Sequence, residues 1–117
     1  MASYFVKQLS PGDTAKQLSL PTKYMKHLPR TRPGHAVNLA VMDAQGRQWH
    51  FRFTIRRNGH PKPILSAGWR DFVKGKYLKP GDQIIFKLEA NAAAALYTIG
   101  VKRRIKLFGT EVWTAVC

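Results

Sequence analysis

The side chains that could perform catalysis are few and scattered in this sequence. The acids are Asp13, Asp43, Asp71, Asp82, Glu89 and Glu111, and the histidines are His27, His35, His50 and His60. No two acids have the spacing of a two-metal or nuclease cluster, and no histidine lies in an HExxH or cysteine-partnered zinc pattern. The glycines form no GxGxxG or Walker motif. The sequence therefore predicts a protein that is not an enzyme and has no metal, cofactor or small-molecule substrate.

Three of the acids have a structural explanation. Asp13, Asp43 and Asp82 each lie in a stretch that contains glycine or proline. In such turns an aspartate accepts hydrogen bonds from nearby backbone amides. We expect these three residues to stabilise turns.

The chemistry that the sequence favours is the binding of a polyanion. Twenty Lys and Arg stand against six Asp and Glu in 117 residues, which gives a formal net charge of +14. Such an excess indicates a surface that binds nucleic acid. A membrane is the weaker alternative, because the sequence has neither a basic amphipathic helix nor an apolar run long enough to span a bilayer. The single cysteine, Cys117, excludes an internal disulfide and favours a reducing, intracellular compartment.

The stretch from residue 52 to residue 62 is the clearest candidate for a DNA-binding loop. Its polar side chains are Arg52, Arg56, Arg57, Asn58, His60 and Lys62. Arginine can bind guanine and asparagine can bind adenine in the major groove, and Pro61 and Pro63 would stiffen the loop. The alternative is a solvated hairpin tip with an Asn-Gly turn. Because no acid occurs from Ala44 through Arg70, whereas solvated faces usually mix both signs, we favour the DNA-binding interpretation.

A second basic run lies near the end of the chain and consists of Lys102, Arg103, Arg104 and Lys106. It is compatible with a nuclear import signal or a phosphate-binding patch. Because Ile105 and Leu107 alternate with these cations, we expect a folded sheet edge that is kept soluble by its charge and contacts phosphates.

Alternation with a period of two dominates the sequence and predicts strands. Trp49, Phe51, Phe53 and Ile55 would share a buried face of a strand over residues 48–56, which the turn at residues 43–46 joins to a strand over 37–41 in a hairpin. Further strands are predicted over 4–8, 18–20, 84–88, 97–101 and 105–107. Roughly seven short strands favour one domain built on an antiparallel, barrel-like sheet.

Two short helices are predicted beside the sheet. The first covers residues 21–28, and the second begins near Ser66 as its cap and ends at Gly75. Trp69 and Phe72 share a face of the second helix. They could stack on bases, but their spacing favours packing in the core.

Three stretches resemble the B3 DNA-binding domain of plant transcription factors. They are FVKQLS with GD and LSLP over residues 5–21, GRQWHF over 46–51, and LSAGWRDFV with LKPGD and IF over 65–86. The third is the most specific. Together the similarity extends from about residue 4 to residue 106, which the resemblance implies is the core of a single domain, 1–117, with residues 107–117 as a C-terminal extension.

The resemblance implies a mainly β fold, a seven-stranded open pseudobarrel with two short helices. It also implies that two arms bind the major groove of double-stranded DNA, in the nucleus, for a transcriptional regulator. The N-arm would be residues 7–17 and the C-arm residues 52–62. The resemblance implies DNA contacts by Lys7, Ser10, Lys16, Gln17, Ser19, Ser66 and Arg70. The C-arm contacts would be Arg52, Arg56, Arg57, Asn58, His60, Pro61 and Lys62. Phosphate contacts are expected from Arg103 and Arg104.

The sequence departs from the family pattern in its arms. The loop over residues 13–18 is about two residues shorter than in auxin-response relatives. In this respect the chain is more similar to the divergent reproductive-meristem group. Two alternatives stay open. One is a nucleic-acid or chromatin-associated module that is indifferent to base sequence. The other is the DNA-recognition domain of a restriction-type nuclease, which would need a separate catalytic domain.

Overall fold

The computed structural model describes residues 2–28, 31–32, 34–56, 61–90 and 95–116. The strands are β1 (Ala2–Gln8), β2 (Leu18–Ser19), β3 (Val37–Asp43), β4 (Gln48–Arg56), β5 (Lys62–Leu65), β6 (Gln83–Ala90), β7 (Ala95–Leu107) and β8 (Thr110–Val116). The helices are α1 (Pro11–Ala15), a 3₁₀ helix (Thr22–His27) and α2 (Trp69–Gly75). Within these residues, no helix is both long and apolar enough to cross a bilayer.

One curled, open sheet contains all of these strands. Seven lie in the order β1-β6-β7-β3-β4-β5-β2, and β8 pairs with the second half of β7. The predicted mainly β architecture is therefore confirmed. The expectation of a purely antiparallel sheet is wrong, because β3 and β7 run parallel where Val41 pairs with Tyr97 and Asp43 with Ile99. This pair arises because the chain passes through β4, β5, α2 and β6 before it returns beside β3.

The β3–β4 hairpin has the predicted form. Val41 pairs with Trp49, and the alternating apolar residues of β4 are buried while their neighbours point outward. The Asp43 carboxylate accepts hydrogen bonds from the amides of Gln45 and Arg47, each at 2.9 Å. It therefore stabilises the turn, as predicted from its position in the sequence.

The core lies between the inner face of the sheet and α2. Trp69 is fully buried, stacks on Phe72 at 5.7 Å between ring centroids and meets the edge of Phe51 at 5.9 Å. Trp49 meets Phe72 edge-on at 5.1 Å. The prediction that Trp69 packs in the core is confirmed.

The start of α2 differs from the prediction, because its N-cap is Gly68 rather than Ser66. Its last residue is Gly75, as predicted, and Tyr77 beyond it takes the left-handed conformation. Gly75 also has a packing reason, because a Cβ there would lie 2.9 Å from the indole ring of Trp49. The first predicted helix is a single 3₁₀ segment.

The basic run over residues 102–106 lies at an edge of the sheet, as predicted, because β6 pairs with β7 only as far as Lys102. These residues lie within β7, a single strand of 13 residues that includes the two strands predicted over 97–107. β6 pairs with β7 as far as Lys102, and β8 pairs with it from Val101 to Leu107. Two strands, β5 and β8, were not predicted.

Candidate nucleic-acid interface

A capping box builds the N-arm around α1, a helix that the sequence analysis missed. The Asp13 amide donates to the Ser10 hydroxyl at 3.2 Å, and the Ser10 amide donates to the Asp13 carboxylate at 2.9 Å. Pro11 occupies the first turn, where no amide hydrogen is needed. The spacing Ser-x-x-Asp was the available signal for this helix, but Pro11 and Gly12 resemble a plain turn.

The buried carboxylate of Asp13 fixes the N-arm to the rest of the fold. It forms an ion pair with the Lys7 ammonium at 3.1 Å and accepts a hydrogen bond from the Ser19 amide at 3.4 Å. Lys7 also donates to the Ser19 carbonyl. Burial alone would raise the pKa of Asp13, but the hydrogen bonds from Ser10 and Lys7 and the Lys7 charge outweigh burial and lower it.

Trp69 connects the N-arm to α2. Its indole N–H donates to the Asp13 carbonyl at 2.7 Å, and both groups are buried. A buried tryptophan needs such a partner for its one donor. The position of the arm therefore depends on the packing of the core.

A short strand ladder joins the two arms. Leu18 and Ser19 of β2 pair with Leu65 and Ile64 of β5, the strand that leaves the C-arm. The ladder continues where the Leu20 amide donates to the Pro63 carbonyl at 3.0 Å. The Thr22 hydroxyl then donates to the Pro61 carbonyl at 3.1 Å. Backbone hydrogen bonds thus hold together the two segments at which the arms join the sheet.

The chain turns into α2 at a close approach to β4. The Ser66 amide donates to the Arg52 carbonyl and the Arg52 amide to the Ala67 carbonyl, each at 2.9 Å. Gly68 follows with φ +88°, and a Cβ there would lie 1.9 Å from the His50 carbonyl oxygen. Only glycine satisfies both requirements, so Gly68 sets where α2 begins relative to β4.

A shallow depression of about 380 Å³ lies between the end of α1 and the start of α2. It is lined by Ala15, Lys16, Gln17, Ser66, Ala67, Gly68, Arg70 and Asp71. Lys16, Gln17 and Arg70 are exposed around it, and Arg52 and Arg56 are exposed on β4. Lys62, opposite Arg56 in the β4–β5 register, is half-buried. The depression is therefore lined by one cation of the N-arm, Lys16, and one of α2, Arg70.

Three residues implied to contact DNA have hydrogen-bond partners within the fold. The Lys7 ammonium binds Asp13 and Ser19, and the Ser10 side chain caps α1. Ser66 is half-buried, and its hydroxyl donates to the Arg52 carbonyl at 3.4 Å. The predicted residues Arg57, Asn58 and His60 lie outside the described residues.

The two arginines predicted as phosphate contacts on β7 each lie beside an acid. Arg103 binds Asp82 through two nitrogens, at 3.1 and 3.0 Å, and donates to the Tyr77 carbonyl at 2.8 Å. The bonds to Asp82 raise the pKa of Arg103 despite its partial burial. Arg104 is exposed and lies 3.7 Å from the Glu111 carboxylate. Arg103 therefore has a structural partner that sequence reasoning did not find.

A third buried ion pair lies at the C-terminal end of α2. The Lys76 ammonium lies 2.8 Å from the Asp43 carboxylate, which also accepts the Trp49 indole N–H at 2.9 Å. Burial acts to raise the pKa of Asp43, but the bonds from Lys76, Trp49 and two backbone amides hold it well below its ordinary value. An ion pair of this kind loses its stabilising effect when the carboxylate is protonated.

We expect the free energy of unfolding to fall in acid. Because the folded chain lowers the pKa of Asp13 and Asp43 below 3.8, it binds fewer protons than the unfolded chain in that range. The stabilisation is complete above about pH 4 and is lost as the pH falls through the lowered values. Urea unfolding measured from neutral pH downward tests this, and Asp43→Asn should show a shallower dependence. A free energy that stays constant below about pH 4 would contradict the assignment.

Comparison with known proteins identifies the family. The sequence model of the B3 DNA-binding domain matches residues 5–105. The chain belongs to the B3 DNA-binding domain family. The resemblance in the sequence motifs is thereby confirmed, and the family is one of DNA-binding domains rather than enzymes.

Relatives of this B3 domain are plant proteins. The B3 domain-containing transcription factor VAL3 of Arabidopsis thaliana is 35% identical over 83 residues, which cover 70% of this chain and 12% of that protein. A B3 domain-containing protein of Oryza sativa subsp. japonica is 32% identical over 105 residues, 85% of this chain and 55% of its own length. The chain thus spans from about a tenth to about half of the length of these curated relatives.

The fold of this B3 domain matches solved structures. The chain from the Arabidopsis FUS3-DNA complex superposes with a TM-score of 0.74 at 24% identity, covering 85% of this chain and 95% of that one. A hypothetical Arabidopsis thaliana protein superposes with a TM-score of 0.66 at 23% identity, covering 86% and 90%. These matches establish the open barrel-like architecture of the B3 fold for this chain.

Proposed function

We propose that this B3 domain binds the major groove of double-stranded DNA with its two arms, as the DNA-recognition module of a nuclear transcriptional regulator. The observation that carries the proposal is the β2–β5 ladder, which holds side by side the two segments at which the arms join the sheet. Family membership and the DNA complex of the structural neighbour support the choice of ligand. Because the segments at which the arms join the sheet are already held by hydrogen bonds, binding to DNA loses less conformational entropy than it would with free arms.

The charge of the surface supports the same ligand. The exposed cations in this region are Lys16, Arg52, Arg56 and Arg70. The acid that lines the depression between α1 and α2 is Asp71. Cations attract phosphates whatever the base sequence, while arginine on a loop can also reach base edges. In this proposal the C-arm reads bases, and Lys16 and Arg70 contact the backbone of DNA.

A pair of alanine variants tests the division between base reading and charge. Arg56→Ala, at the end of β4, is expected to lose about 1–3 kcal/mol of binding on a selected duplex and less on a scrambled one, because a bidentate base contact is sequence-dependent. Arg104→Ala removes the same charge from the β7–β8 hairpin, where Glu111 already partners it. Its loss is expected to be small and equal on both duplexes.

Binding isotherms of both variants at one salt concentration provide the measurement. Equal losses on the two duplexes for Arg56→Ala would remove it from base reading. A selective loss for Arg104→Ala would place the reading surface on the β7–β8 side of the sheet. Equal affinity of the unmodified protein for all duplexes would favour a module that is indifferent to sequence.

A further inference from the structure

The β7–β8 hairpin carries exposed apolar side chains that DNA binding by the arms leaves unexplained. Ile105 and Leu107 are exposed on one face of the hairpin and Trp113 on the other, and Phe108 in the turn is 99% exposed. Phe108 also has a positive φ of 51°, before Gly109. An aromatic residue in that conformation is uncommon and is not required by a tight turn, where Asn or Gly suffices.

The sheet has several edges, which are β1, β2, the part of β7 beyond Lys102, and β8. Along β1, the Tyr24 hydroxyl donates to the Val6 carbonyl at 3.4 Å, and the Tyr24 ring stacks on Phe5 at 4.2 Å. The edge strand β2 has only two residues. By contrast β8 has seven residues and, within the described part of the chain, pairs with β7 alone. Half of its backbone donors and acceptors therefore face away from the sheet.

The sequence of β8 has few of the features that normally prevent edge pairing. It reads TEVWTAV, with β-branched and aromatic residues, one charge at Glu111, no proline and no lysine. Its register with β7 runs without interruption from Val101–Val116 to Leu107–Thr110, so no bulge bends the strand away. Natural proteins protect open edges with charges, prolines or bulges, and a long strand with few of them is able to pair with another strand.

We propose that β8 pairs antiparallel with β8 of a second copy of this chain, so that the two sheets join about a two-fold axis. The strand that would meet the second copy permits this occupant. The chain carries a net +14, and Lys102, Arg104 and Lys106 of β7 share a face with Trp113, but the one charged side chain on β8 itself is Glu111. An acidic peptide strand would instead place its carboxylates beside Glu111.

The antiparallel arrangement is self-complementary. With the axis at Trp113, the two Trp113 side chains face each other and each Glu111 lies opposite Ala115 of the other copy, so no like charges oppose. Arg104 of the same hairpin lies 6.0 Å from the Trp113 ring and 3.7 Å from Glu111. Aromatic pairs stabilise adjacent strands, and an isologous contact uses one patch on both copies.

The first test measures mass in solution without DNA, so its outcome is independent of the proposed function. Light scattering on a concentrated sample is expected to give twice the chain mass of 13.3 kDa. Trp113→Lys places like charges opposite each other and is expected to leave a monomer. Tyr4→Lys is the matched control, because it replaces an exposed aromatic residue by the same charge on β1 and should remain a dimer.

The second test needs no variant and so does not depend on the folding of Trp113→Lys. Dilution of the isotopically labelled protein is expected to shift the amide resonances of residues 110–116 and to leave those of β1 unchanged. A monomeric mass at every concentration would overturn the proposal. So would a Trp113→Lys variant that still dimerises, or a dimer that Tyr4→Lys dissociates.

Discussion

Replacement of Trp69 by alanine is expected to destabilise the protein by about 3–5 kcal/mol, the range for deleting a large aromatic side chain from a core. The side chain is fully buried between Phe51 and Phe72. The change would also remove the partner of the buried Asp13 carbonyl. Since domains of this size have a stability of roughly 5–15 kcal/mol, the variant should be largely unfolded or close to unfolding at physiological temperature.

Thermal unfolding followed by circular dichroism measures this loss. Trp69→Phe retains most of the apolar volume but lacks the indole N–H, so it should fall between the unmodified protein and Trp69→Ala. Tyr4→Ala removes an aromatic side chain that is 67% exposed and should change the melting temperature little. If Trp69→Ala keeps its melting temperature and loses only DNA binding, Trp69 would be a base-stacking residue.

The affinity for duplex DNA is expected to fall steeply with salt. If about five to seven phosphates are neutralised, log K should decrease against log salt with a slope of roughly −4.5 to −6, because each contact releases condensed counterions. In the proposed complex these contacts would come from the exposed cations of both arms and α2. This corresponds to a loss of about 10³-fold between roughly 50 and 200 mM salt.

A matched pair of variants localises this dependence. Arg70→Gln, at the start of α2, should reduce the magnitude of the slope by about one unit. Lys87→Gln removes an equal charge from the outer face of β6 and should leave the slope unchanged. An affinity that barely changes with salt would rule out phosphate contacts as the main source of binding.

Patterns that are local in sequence predicted the strands and the core well. The alternation over β4 and the spacing of Trp69 and Phe72 each reflect one element with one buried face, so periodicity was sufficient. The parallel contact of β3 with β7 joins residues more than 50 positions apart. No local pattern encodes such a pairing, and it was not predicted.

Three elements were not predicted. Pro61 and Pro63 were assigned to a stiffened loop, yet β5 forms, and the Pro63 carbonyl accepts from Leu20 while no Pro63 amide is needed. Pro11 and Gly12 resemble a turn, so α1 was not predicted. The run TEVWTAV of β8 has strong strand propensity, but it lies beyond the residues that resemble the B3 domain and was assigned to an extension.

The sequence predicted the elements of the candidate site better than the partners of its residues. The C-arm stood out because it is basic and lacks acids, and its strands do lie beside the N-arm. DNA contacts by Lys7 and Arg103 stay predictions, and the sequence did not show that these cations pair with the buried acids Asp13 and Asp82. Whether a cation is free or paired depends on tertiary contacts, and charge composition alone does not contain this information.

Selection of bound sequences from a pool of random duplex DNA tests the central claim most directly. If the two arms read the major groove, a short motif should be enriched, with an affinity at least roughly 10³-fold above that for bulk duplex at physiological salt. Arg56→Ala should weaken the enrichment at one position of that motif, while Arg104→Ala should leave it intact. A pool that shows no enriched motif after selection, with equal affinity for all duplexes, would contradict the account.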